Sequence, residues 1–241
     1  MNHQTHSIPA TTDHSVAVKT QNLQTIQLFL DQQMNLLLDH PYFKTCQRGD
    51  ISKPQMVQIM KNLYGFSVYF ERILTRRISH YNSRMDHELL LIAKKHLREE
   101  IGHADMFRDS LLSNGVSATE IRDIEPTRYT KAIFGYLLAT IEYENEYVTN
   151  IAVIQVLELI GYHFFTTTLE VMKKNGFSSS AFQAHSDDDT THSLLGLEHC
   201  AAMDEVSLKD CKRVILDLFG LFHDMLSEWL QFNTNTNEGL S

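Results

Sequence analysis

From Leu23 to Leu38, in LQTIQLFLDQQMNLLL, apolar residues recur at intervals of three and four, which predicts an amphipathic helix. His40-Pro41 breaks it. A second helix should start near Ser52, with Pro54 in its first turn, and run through MVQIMKNLYGFSVYFERILTRRISHY. The third spans about Asp86 to Ser113 and stops at Asn114-Gly115, a common helix-ending pair. Ser117 and Glu120 carry capping-box chemistry at the start of a short SATEI segment. Pro126 precedes a helix from about Thr127 to Asn150, and another covers Ile151 to Lys174, closing at Asn175-Gly176. A segment from about Ser178 to Met203 comes next, and a last amphipathic helix runs from about Ser207 to Phe232. Residues 1–20 are polar and rich in Thr and His, and are expected to form a disordered or loosely docked arm; residues 233–241, ending NEGLS, are expected to fray. The pattern predicts one all-α domain over residues 21–232, of about seven or eight helices, with no repeat and no interdomain linker.

Composition narrows this picture in three ways. Only 10 Gly and 4 Pro in 241 residues leave few breakers, which favours long helices over strands and turns. A formal net charge of −9 argues against nucleic acid as a partner, since phosphate neutralisation needs clustered Lys and Arg. No segment reaches the roughly 18 uninterrupted apolar residues of a membrane span, and the first residues carry no apolar run of a secretory signal. Cys46, Cys200 and Cys211 are odd in number and without CxxC spacing, as expected in a reduced, cytoplasmic compartment.

Metal chemistry is the strongest functional signal. In AHSDDDTTH, His185, Asp189 and His192 are spaced so that a helix would hold all three within an arc of about 60°. Upstream, in HLREEIGHADMF, Glu100 and His103 lie one helical turn apart. Glu158 stands among the apolar residues of IAVIQVLELIGYHFF, where a carboxylate is costly to bury unless it is paired or ligates a cation. Three carboxylates and three imidazoles from three helices are the donor set of a carboxylate-bridged pair of irons.

Several residues compete for those roles. Glu99 is also about one turn from His103, and His96 lies seven residues before it, as a supporting residue or a substitute ligand. Glu71 is a reserve carboxylate; His163 and His199 read better as core or interface histidines, and Glu142 and Glu146 as a solvated edge beside Tyr143 and Tyr147. The triplet could equally be an acidic surface turn, because Asp, Ser and Thr are poor helix formers. There is no Gly-rich phosphate loop, no G-x-S-x-G elbow and no recognisable cysteine nucleophile.

The order of these motifs resembles the haem-oxygenase-like di-iron oxidases and oxygenases, relatives of the thiaminase-like and pyrroloquinoline-synthase-like helical proteins. The resemblance spans residues 23–232. It runs from LLDHPYF…RGDIS through Glu100 and His103, the lone Glu158, and His185, Asp189 and His192. One departure is clear: several members carry a Glu seven residues before the first His, where this chain has His96. The resemblance implies two Fe ions, O2 as co-substrate, an external reductant as an option, a small-molecule substrate and a fold that allows a homodimer. It implies oxidation of an amino acid or similar amine-bearing carboxylate by C–C cleavage, N-oxidation or nitrile formation. Arg76, Arg77, Arg98 and Arg108 would then be candidates to hold the carboxylate. The alternatives are oxidative decarboxylation of a fatty acid, and a metal-storage or interaction protein without an organic substrate.

Overall fold

In the computed structural model the described residues are 12–81, 86–177, 182 and 195–232, and no strand occurs among them. The chain winds through α1 (Thr12–Leu38), α2 (Pro41–Arg48), α3 (Lys53–Tyr81), α4 (His87–Glu100), α5 (His103–Ser113) and α6 (Ala118–Arg122). It continues through α7 (Arg128–Tyr143), α8 (Glu146–Asn150), a π-helical turn (Ile151–Val156) and α9 (Leu157–Lys174). A 3-10 turn (His199–Ala202) and α10 (Glu205–Leu230) complete it. Eight of these helices have eight residues or more. The long α3 packs on α4, α5 and α7, while α10 packs on α1, α7 and the π-helical turn.

Local chemistry explains where the helices start and stop. α1 begins at Thr12, ahead of Leu23, where the apolar period becomes visible. The His40-Pro41 break opens a further short helix, α2, which the apolar period does not announce. Pro41 sits in its first turn, the His40 ring accepts from the Tyr42 amide at 3.0 Å, and Gly49 closes it at φ 76°. The capping box at Ser117 and Glu120 forms as the spacing predicts.

Two expected boundaries move. The helix foreseen from Asp86 to Ser113 is two helices, α4 and α5, meeting at Ile101-Gly102. Gly102 takes a φ of 97°, a left-handed conformation that ordinary side chains resist, and its amide donates to the Glu71 carboxylate at 3.3 Å. The break foreseen at Asn150 falls instead at Glu144-Asn145. There Asn145 caps α8 by accepting from the amides of Tyr147 and Val148, and its side chain reaches Ser207 at 2.8 Å. From Glu146 to Lys174 the backbone then stays helical, widening into a π turn on the way.

That stretch is also the only described one long and apolar enough to cross a membrane, yet 78% of its most apolar window is buried inside the bundle. It is the central helix of the core. Aromatic rings collect along its C-terminal part: Phe164 stacks on Tyr42 at 5.5 Å and meets Trp229 edge-on at 5.5 Å. The three cysteines are all buried and form no disulfide.

Candidate metal centre

Glu158 is the second residue of α9, just beyond the π-helical turn, and is buried. It faces α4, where His96 is fully buried and Glu100 is the last residue of the helix. His96 Nε2 stands 2.8 Å from Glu158 Oε1 and 3.8 Å from Glu100 Oε1. Ligand atoms of His96, Glu100 and Glu158 all lie within 4.8 Å of one another, close enough to hold a metal ion together. Carboxylate oxygens with an imidazole nitrogen are a donor set that iron and manganese accept.

Burial pushes His96 down to about 4, against the opposing pull of Glu100. The ring is therefore neutral at ordinary pH, and beside a carboxylate its Nε2 carries the proton and donates to Glu158. His96 Nδ1 is buried with no hydrogen-bond partner among the described residues. Metal-bound histidines nearly always donate their second nitrogen to an acceptor. That lack favours His96 as the donor that orients Glu158 over His96 as a ligand.

His103 is the first residue of α5, so it shares no helix with Glu100. The bend at Gly102 nevertheless brings them together, with His103 Nδ1 2.8 Å from Glu100 Oε2. Glu99 pairs with Lys95 at 3.5 Å. Glu71, the reserve carboxylate, anchors the Gly102 amide. Glu142 is tied to Arg76 at 2.7 Å, and Tyr143 is 86% exposed, so neither contributes to this centre. His163 is half-buried against Tyr162, outside the cluster. His185, Asp189 and His192 lie outside the described residues.

The two carboxylates stand together in the wall of a cavity of about 90 Å³. Its other described walls are apolar and mostly aromatic, including Phe70, Phe107, Phe164, Phe222 and Trp229, and Ser67 supplies a hydroxyl. Among the described residues, no Lys or Arg lines it. Arg76 is taken by Glu142, and Arg108 pairs with Asp105 at 2.6 Å on the surface. Arg77 is buried but bonds to Asn150.

No protein-family model matches the chain, and no curated protein sequence matches it. Solved structures do. A TenA homologue from Pseudomonas syringae pv. tomato DC3000 superposes with a TM-score of 0.73 at 12% identity, over 86% of this chain and 92% of that one. A domain of unknown function with a haem-oxygenase-like fold from Shewanella denitrificans OS217 gives a TM-score of 0.73 at 16% identity, over 92% and 96%. A CADD-like protein of unknown function from Nostoc punctiforme PCC 73102 gives 0.66 at 15%, over 84% and 96%. At such identities the likeness establishes architecture: the chain is an all-α, haem-oxygenase-like helical bundle.

Proposed function

We propose that the protein is an O2-dependent non-haem di-iron oxidase acting on a small carboxylic acid with an apolar body. The observation that carries this reading is the junction of a buried acid–histidine cluster with a cavity whose remaining described walls are almost wholly apolar. Two acids buried beside a neutral imidazole are costly without a cation, and the donor set suits one. Glu100, His103 and Glu158 would hold one iron, with Glu158 also facing the second; His185, Asp189 and His192, named from sequence, would complete the pair. Bound iron would supply O2 activation and oxidising power that no side chain of this chain possesses.

The protein's own part is positional. His96 holds one oxygen of Glu158, so that carboxylate keeps a fixed orientation toward Glu100. His103 does the same for Glu100 from the far side of the bend. The aromatic walls exclude water from the acid end and grip an apolar chain or ring by dispersion and burial. The carboxylate of an amino acid or of a fatty acid would alike look to the iron, since no Lys or Arg lines the cavity among the described residues; an amino acid, the class that the resemblance implies, brings an ammonium as a further charge to these apolar walls. A fatty-acid-like substrate, with its head at the acid end and its tail among the rings, matches the lining better. A cytoplasmic, single-domain homodimer is the proposed working form.

Anaerobic Fe(II) loading followed by O2 exposure tests the proposal. About two irons per chain, and O2 consumption accelerated by medium-chain fatty acids over amino acids, are expected. Acceleration by amino acids alone would replace the substrate class. Failure to bind iron, or oxidation indifferent to every organic acid, would overturn the enzyme reading in favour of a storage or interaction protein.

A further inference from the structure

A second buried polar cluster adjoins the first, and the proposed chemistry gives it no task. Arg77, fully buried on α3, donates from Nη2 to Asn150 Oδ1 at 2.5 Å. Its Nε and Nη1 have no hydrogen-bond partner among the described residues, and burial lowers the guanidinium to about 10. Asn150 passes the contact on, donating to Gln155 Oε1 at 3.1 Å and to the Leu195 carbonyl at 3.3 Å. Gln155 donates to the same carbonyl at 2.6 Å. Gly196 permits this approach: at φ 74°, a Cβ there would lie 3.0 Å from Asn150 Nδ2.

The position of these residues is informative. Asn150 ends α8 and Gln155 lies inside the π-helical turn, five residues on. Five is the hydrogen-bonding step of a π-helix, so their side chains come into register only while the turn stays wide. π turns are uncommon and gather at functional sites. A buried cation with no carboxylate partner among the described residues likewise costs several kcal/mol, so stability alone does not account for Arg77. Glu158 lies just beyond the turn, and the helix before the turn is pinned by the Asn145–Ser207 contact. If the π turn tightened into an α turn, residues beyond it would rotate by about 100°, and Glu158 would leave His96.

We propose that Asn150, braced by Arg77 and Gln155, is a positioning residue that keeps Glu158 against His96 by holding the π-helical turn open. Its metal readouts rest on the cluster being a metal site; its metal-free readout does not. Three variants separate the contributions. Asn150→Asp keeps the acceptor for Arg77, Asn150→Ala removes the clamp, and Gln155→Leu removes one strut while leaving the Arg77–Asn150 bond.

In the metal-free protein, the imidazole 15N resonances of His96 report the bond to Glu158. They should move in Asn150→Ala and Gln155→Leu, and by less in Asn150→Asp, which keeps the acceptor for Arg77 but loses the donor to Gln155 and Leu195. With Co(II) as the probe, Asn150→Ala should bind about tenfold more weakly, with shifted visible bands, and Asn150→Asp, which keeps only the Arg77 bond, should fall between it and wild type. Wild-type His96 resonances in both Asn150→Ala and Gln155→Leu would overturn the proposal, even if those variants melt earlier. If wild type binds no Co(II), the metal reading fails, and the His96 resonances still decide the clamp. If Asn150→Ala does not fold, Gln155→Leu supplies the same two readings.

Discussion

The two ends of the cavity are built on opposite principles. At the acid end, each functional group is held by a directed bond: His96 to Glu158, His103 to Glu100, and Glu71 to the amide at the bend between them. At the aromatic end, Phe164, Phe222 and Trp229 are held by packing, with ring centroids 5.3 to 6.4 Å from their neighbours and few polar contacts. Directed bonds fix a few atoms closely and fail when one partner is lost. Packing spreads its energy over many contacts and degrades gradually. A reacting head belongs at the first kind of site, and a chain of variable length at the second.

Substitutions at each end should therefore fail differently. The largest effect is expected from Glu158→Ala, which should weaken iron binding more than about 100-fold and abolish turnover, read by metal titration and O2 uptake. Trp229→Ala should lower stability by about 3–5 kcal/mol in denaturant unfolding while leaving the metal count unchanged, since Trp229 is buried at the packed end. Loss of metal in that variant would erase the distinction between the ends.

Acid should act on the bonded end. The unfolded chain protonates histidine near 6.5, whereas folded His96 resists until about 4. The metal-free protein therefore keeps this contribution in full above pH 6.5 and loses it as the pH falls toward 4, by about 3 kcal/mol in all. Comparing pH-dependent unfolding of wild type with His96→Gln isolates that slope; equal slopes would show that His96 is not the responsible group. The smallest effect is expected from Ser117→Ala, remote from both ends, which should cost about 1 kcal/mol through the lost cap and leave iron and substrate untouched.

Legibility in the sequence divides along the same line. Short-range chemistry reads well: the apolar period of α3 and α10, the capping box at Ser117, and the Asn-Gly stop after α5 all appear where spacing puts them. Glu158 could be singled out because a carboxylate inside so apolar a helix has to be explained. The features that needed a distant partner did not show. Gly102 reads as one more helical residue until Glu71, on another helix, captures its amide. The π-helical turn has no composition of its own, and the Asn150–Gln155 contact that fits it looks in sequence like two ordinary amides. His96 was visible as a neighbour of the site, but nothing in its spacing pairs it with Glu158, 62 residues on.

The bend at Gly102 has one more consequence. Glu100 and His103 are adjacent because the chain turns a corner, with one residue closing a helix and the other opening the next. Their three-residue spacing is thus a corner signature, although it is identical in text to a helical-face signature. A pattern search that demands unbroken helix around E-x2-H would discard this protein and any other built the same way. One that accepts a glycine between the two letters, and looks elsewhere for the acid that holds it, would retrieve them.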